Sequence, residues 1–236
     1  MRPKITCHMV TSLDGRLHPD RWTDPVGGRI GDLIDKHYDA TAECLEAGGW
    51  IAGRKTMAAY AEREEMPDLL AEPQARPFHA PDRAGRNLAV AIDPSGRLRY
   101  AGSDIGGDRA VAVLSERVSD DYLAGLRDKA VSYVFAGPDG RRLGVALETL
   151  GDVFGVGHLL LEGGAVTNGA FLAAGLIDEV STLICPASDG LAGIPSIFEH
   201  SAPPGSHPAA GQHLRLRSCE VLEGGVIWLR HDVVRG

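Results

Sequence analysis

Two short stretches combine glycine, small residues and polar donors in the way that anion recognition requires. The first is Gly53-Arg54-Lys55-Thr56, entered from the apolar run Trp50-Ile51-Ala52. A strand that ends there hands over to a helix start, where unpaired backbone N–H groups and the positive end of the peptide dipoles attract an anion. Gly53 lets such a group approach the backbone, Arg54 adds a forked donor and Thr56 a hydroxyl. That set suits a phosphate ester, notably a nucleotide 2′-phosphate. The same residues also suit an ordinary solvated helix start. The second stretch runs from His158-Leu159-Leu160-Leu161 into Glu162-Gly163-Gly164-Ala165-Val166-Thr167-Asn168-Gly169. Two glycines and then small residues after a buried strand admit a pyrophosphate against the backbone of the next helix start, at Gly163, Gly164, Ala165, Val166 and Thr167. Glu162, at the carboxyl end of the strand, points into the crevice where α/β sheets bind ligands. A tight turn with small residues chosen for packing is the competing explanation. Two junctions of this kind in one sheet favour a nucleotide ligand.

Other chemistry is excluded or bland. Cys7, Cys44, Cys185 and Cys219 form no C-x-x-C and no zinc spacing with histidine, so no metal site is expected. Cys7 and Cys44 lie in apolar periodic segments and read as small buried hydrophobes. The P-loop pattern, the Gly-x-Ser-x-Gly elbow and the zinc-deaminase signature are missing, and Gly155-Val156-Gly157 precedes its strand, so it is no dinucleotide fingerprint. His37 shares a helix face with Leu33, Ile34 and Tyr38 and reads as a core histidine, with a proton-donor role as the alternative. Asp120-Asp121 and Asp178-Glu179 read as a solvated helix start and a solvated turn, and Glu62-Arg63-Glu64-Glu65 as an exposed helix end. Arg76, His79, Arg83 and Arg86 bring positive charge to a long loop, where solvation competes with an anion clamp.

The elements that position these residues follow from periodicity. Strand patterns occupy 4–11, 50–52, 88–92, 110–114, 131–135, 158–161, 180–185, 214–222 and 226–233. Helical spacing covers 32–47, ended by Gly48-Gly49, and continues at 53–65, 119–129 with Ser119 as N-cap, 143–154 and 164–174, stopped by Gly175. Prolines 67, 73, 77 and 81 keep 66–86 irregular, and Glu223-Gly224-Gly225 joins the last two strands as a hairpin. This order predicts an α/β fold with a mostly parallel central sheet, helices on both faces and a C-terminal antiparallel hairpin. No composition shift marks a boundary, so residues 1–236 read as a single domain. The 30 glycines and 14 prolines mean many turns. With 24 Lys+Arg against 32 Asp+Glu the net charge is −8, which disfavours a polyanion, so no nucleic-acid partner is expected. No apolar run reaches the ~18 residues of a membrane helix and no signal-peptide core is present, so a cytoplasmic protein without membrane contact is expected.

Thr11-Ser12-Leu13-Asp14-Gly15-Arg16, Gly53-Arg54-Lys55-Thr56, and Leu161-Glu162-Gly163-Gly164 with Gly175-Leu176-Ile177-Asp178-Glu179-Val180 together resemble the reductase domain of riboflavin biosynthesis, from about residue 2 to 232. The resemblance implies a dihydrofolate reductase-like fold and hydride transfer from NADPH to the ribosyl group of an aminopyrimidine phosphate. It further implies that Thr11 lines the nicotinamide side and that Gly53, Arg54 and Thr56 hold the adenosine phosphate end. The stretch from Gly164 to Ala170 then wraps the pyrophosphate, Glu162 faces the small-molecule substrate, and Asp14 is a turn residue. Glu162, His37 or water are the candidate proton donors, and the family is commonly homodimeric. Two features depart from the pattern. Where these reductases usually carry Asp-x-Pro-x-Leu-x-x-Arg, this chain has the acidic Tyr60-Ala61-Glu62-Arg63-Glu64-Glu65-Met66-Pro67, and a basic residue late in the first helix is replaced at Cys44 or Leu45. A dihydrofolate- or pterin-type reductase and a non-catalytic NADP-binding sensor module are the alternatives.

Overall fold

The computed structural model of the protein describes residues 1–63 and 68–236. The apolar run after Pro3 forms β1 (Lys4–Ser12), and α1 (Ile30–Glu43) follows a Pro/Gly-rich loop. Next come β2 (Gly49–Gly53), α2 (Arg54–Met57) and β3 (Glu62–Arg63). The middle of the chain holds β4 (Leu88–Ile92), β5 (Leu98–Arg99), β6 (Asp104–Ile105), β7 (Asp108–Leu114), α3 (Asp120–Asp128) and β8 (Ser132–Phe135). It continues through α4 (Leu143–Phe154), β9 (His158–Leu161), α5 (Ala165–Ala173) and β10 (Glu179–Cys185), and ends with β11 (Gln212–Val221) and β12 (Ile227–Arg235). The chain is organised in two units, Met1–Lys4 with Gly48–Leu159, and Ile5–Ala47 with Leu160–Gly236.

In the first unit β2, β4, β7 and β8 pair in parallel, and β6 closes antiparallel on β7. Register aligns Ala89 with Ala110 and Ala91 with Ala112, so one sheet face is a floor of small side chains. Onto that floor pack Met57 of α2 and Tyr122, Leu123 and Leu126 of α3, all buried. Alanine here leaves room for helices to approach closely, and the alternate residues Val90, Val111 and Val113 are buried as well. Ser119 caps α3 as expected: its Oγ accepts from Tyr122 N at 3.2 Å.

In the second unit β1 and β10 are parallel, β12 runs antiparallel to β10, and β11 antiparallel to β12. The turn between β11 and β12 is Glu223-Gly224-Gly225, with φ of +77° and +80° at its glycines. The sheet is therefore mostly parallel with a C-terminal antiparallel hairpin, and the α/β class read from the pattern holds. The buried face of β1 carries polar side chains: His8 Nδ1 meets Ser181 Oγ, and α1 covers it with Tyr38 and Thr41.

Several local expectations are overturned. The second helix stops at Met57 instead of reaching Glu65, and Glu62–Arg63 is a strand paired with β5, not an exposed helix end. The rest of that acidic stretch, residues 64–67, lies outside the described residues. Helix α1 ends at Glu43, before Gly48-Gly49, and Cys44 is exposed. Gly49 is required for another reason: a Cβ there would stand 2.3 Å from the Leu88 carbonyl oxygen, so glycine lets β2 start against β4. Asp178-Glu179 is not a solvated turn. Glu179 is fully buried and takes Arg230 Nε at 2.6 Å, while Asp178 accepts from Ile5 N at 2.9 Å.

Candidate functional site

The first junction is built by strand register. β2 and β4 run in parallel with Gly53 opposite Ile92, so the residues just past the two strand ends, Arg54 and Asp93, lie near one another. The Arg54 side chain is 24% exposed and its Nε stands 3.9 Å from Oδ1 of the fully buried Asp93. Asp93 Oδ2 accepts from Leu98 N at 2.8 Å. Burial pushes the Asp93 carboxyl above the ordinary carboxylate range, against the pull of the Leu98 and Arg97 N–H groups and the Arg54 and Arg97 guanidiniums. Gly53 has φ −73° and ψ 157°, an extended conformation open to any residue. A helix of only four residues sums few peptide dipoles, so recognition at this junction falls to side chains more than to the helix end. Thr56 and Lys55 are exposed.

At the second junction β9 ends in buried Leu161, Glu162 is half-buried, and Gly163 turns the chain with φ +137°, a region that favours glycine. Gly164 is the N-cap of α5 and its carbonyl accepts from Asn168 N at 3.0 Å. Beyond that point packing claims the small residues. Ala165 O accepts from Glu199 N at 3.0 Å, and buried Asn168 donates through Nδ2 to Ile197 O at 3.1 Å. A Cβ on Gly169 would stand 2.1 Å from Glu199 O. The packing reading thus holds for part of this stretch. Gly169 is small for packing, whereas exposed Val166 and half-buried Thr167 sit beside the turn at Gly163-Gly164.

Thr11 is buried and its hydroxyl donates to Arg16 O at 3.1 Å. The following turn is tied by Asp14, which accepts from Ser12 Oγ at 2.7 Å and from the N–H groups of Asp189 and Gly190. Those bonds, the Ser12 hydroxyl first, draw the Asp14 carboxyl down to about 2. It is a turn residue. His37 is buried on α1, its Nε2 at 2.9 Å from Glu223 O, which is how a core histidine is satisfied. Gly53, Arg54 and Thr56 belong to one unit; Thr11, His37, Glu162 and the residues from Gly163 to Thr167 belong to the other. The loop cations are engaged structurally: Arg76 reaches Asp120 Oδ1 at 2.7 Å and two backbone carbonyls, and Arg86 reaches Asp104. Sequence reading missed Asp93, which opens the turn Asp93-Pro94-Ser95-Gly96, and Arg97 just after it; the only signal was an acidic residue directly after a buried strand.

A profile of the RibD C-terminal domain matches residues 3–228. The chain belongs to that family. A search of curated proteins found no match. Among solved structures, this RibD C-terminal domain protein is similar to a pyrimidine reductase-like protein of Corynebacterium diphtheriae, with a TM-score of 0.65 and 17% identity over 99% of this chain and 93% of that one. It is similar also to RibD of Acinetobacter baumannii, with a TM-score of 0.63 and 22% identity over 99% of this chain. It spans 58% of that longer protein. The riboflavin biosynthesis reductase of Saccharomyces cerevisiae aligns with a TM-score of 0.54 and 15% identity over 99% of this chain and 90% of that one. These likenesses share the dihydrofolate reductase-like fold with the RibD C-terminal domain. No helix among the described residues is long and apolar enough to cross a membrane.

Proposed function

We propose that the chain is an NADPH-dependent reductase, resembling the pyrimidine reductase of riboflavin biosynthesis and acting on an aminopyrimidine ribosyl phosphate or a closely related small substrate. The family match over residues 3–228 carries this reading. Two observations on the chain support the coenzyme. Arg54 Nη1 is a buried donor with no partner among the described residues, as an arginine that awaits a phosphate should have. Gly163, at φ +137°, gives a backbone turn that a side chain would strain.

NADPH, when bound, supplies the hydride. In this reading Arg54 holds the 2′-phosphate with Thr56 beside it. Gly163, Gly164, Ala165, Val166 and Thr167 cradle the pyrophosphate, Thr11 lines the nicotinamide side and Glu162 faces the substrate. Positioning of the reacting carbons supplies much of the rate. The His37 Nε2 is already occupied by the Glu223 carbonyl, so Glu162 or water is the better source of the proton. A second copy of the chain belongs to the same proposal; the exposed Leu214, Leu216 and Val221 of β11 offer it an apolar surface.

The test is NADPH oxidation by the purified chain over a panel of aminopyrimidine ribosyl phosphates, pterins and small carbonyls, paired with calorimetric titration of the coenzyme. Consumption confined to the aminopyrimidine substrate is the expected result. Consumption with pterins alone moves the chain to the dihydrofolate-type alternative. Binding with no consumption across the panel overturns the reductase reading in favour of a sensor module, which the unmatched stretch at residues 60–67 would then explain.

A further inference from the structure

Three arginine and aspartate side chains at the β4 end remain unexplained by packing. Asp93 is fully buried, yet its Oδ1 has no hydrogen-bond partner among the described residues. Arg54 Nη1 and Arg97 Nε, both buried atoms, have none either. Leaving even one buried polar group unsatisfied is costly, so such a cluster is not a neutral accident of packing. The Arg54 Nε to Asp93 Oδ1 separation of 3.9 Å is too long for a hydrogen bond and short enough for strong charge attraction. Asp93 itself cannot drift: it is fully buried and Leu98 N holds Oδ2 at 2.8 Å. A rigid carboxylate therefore holds Arg54 by charge while its Nη1–H remains free to donate. With Arg97 also acting on Asp93, the trio with Asp93 ionised keeps one uncompensated positive charge, so an added phosphate is still attracted.

We propose that Asp93 is a positioning residue that aims the Arg54 guanidinium, and thereby sets the preference for a coenzyme bearing a 2′-phosphate over one lacking it. This rests on the reading of Arg54 as the phosphate-binding residue. Asp93 does not touch the phosphate; it acts through Arg54, whose side chain has several rotatable bonds and loses less freedom on binding when already held.

The experiment is calorimetric titration of the full chain with NADP+ and NAD+, in unsubstituted protein and in the Arg54→Ala and Asp93→Asn variants. Asparagine keeps an oxygen for Leu98 N and removes the charge. Arg54→Ala is expected to weaken NADP+ roughly tenfold or more with NAD+ little changed, as the loss of a charged hydrogen bond requires. Asp93→Asn is expected to lower the NADP+ to NAD+ preference in the same direction by a smaller factor. If Arg54→Ala lowers the preference and Asp93→Asn leaves it unchanged, or strengthens NADP+ binding by removing a negative charge, the positioning role is overturned while the phosphate reading stands. If Arg54→Ala weakens both coenzymes equally, the phosphate reading fails and this inference with it. Should Asp93→Asn not fold, the unsubstituted protein still decides. The Arg54 Nε resonance, assigned by its loss in Arg54→Lys, is expected to show a rigid side chain in 15N relaxation before any coenzyme is added; a freely moving side chain overturns the role.

Discussion

Trp228 and His8 meet on one hydroxyl: Trp228 Nε1 donates to Ser181 Oγ at 2.8 Å, and His8 Nδ1 lies 3.0 Å from the same oxygen. The indole N–H takes one lone pair of the serine oxygen, and with His8 neutral the serine hydroxyl's own proton is placed to go to His8 Nδ1. His8 Nε2 then carries the imidazole proton toward Tyr38 O at 3.3 Å. A neutral His8 thus completes the network.

Burial, above all, depresses the His8 pKa from 6.5 to about 4, with the charge of Arg230 adding to it against the Tyr38 carbonyl. In the unfolded chain the imidazole takes up a proton below its ordinary value, whereas in the fold it stays neutral until much lower pH. This contribution to stability is therefore complete above 6.5 and is lost as pH falls toward about 4. The loss is about 3 kcal/mol at most. Urea unfolding across that window should show the slope, and His8→Gln should flatten it. An equal slope in the variant would place the pH dependence elsewhere.

Arg230→Ala should destabilise the chain by roughly 3–5 kcal/mol, because it strips the close partner from a buried carboxylate. Glu179 is fully buried, and both Nε and Nη2 of Arg230 lie 2.6 Å from its Oε1. Arg217 also approaches Glu179, at 3.6 Å, but half of its side chain is in solvent. Arg217→Ala should cost only ~0–1 kcal/mol. Equal losses of stability in denaturant melts of the two variants would contradict this ordering.

Gly169→Ala should lower the melting temperature. The added methyl carbon would stand 2.1 Å from a backbone oxygen, Glu199 O, with no flexible side chain to yield. Overpacking of this kind costs about 1–3 kcal/mol. A melting temperature equal to that of the unsubstituted protein would show that the Ile197–Glu199 segment gives way freely.

Gly163→Ala separates the two junctions functionally. With φ at +137°, alanine strains the turn before α5. If this turn cradles the pyrophosphate, common to both coenzymes, NADP+ and NAD+ should weaken together, by about tenfold for a lost charged hydrogen bond. Titration of both ligands checks it, and a selective loss of NADP+ alone would contradict the assignment.

Much of the element plan is legible locally. The runs Leu88–Ile92, Leu143–Phe154 and His158–Leu161 occur as read, and Ser119 caps its helix, because periodicity, length and capping chemistry act between near neighbours. The second helix fails where a local signal is outbid by sheet pairing: Glu62–Arg63 has helical composition but bonds to Leu98–Arg99. Cys44 lies one residue past the end of its helix, so its place in an apolar periodic segment says nothing of burial.

Residue types at the strand ends are therefore read from the sequence: a guanidinium at Arg54, a glycine turn at Gly163, a carboxylate at Glu162. Tertiary structure alone decides which of these groups are free to act. The partnership of Arg54 with Asp93 arises because two strands distant in sequence align in parallel, and the commitment of Gly169 and Asn168 to packing arises from a segment about thirty residues downstream. Such pairings depend on distances between residues that share no local pattern, so charge and polarity are written along the chain, whereas burial and the choice of partner come only with folding.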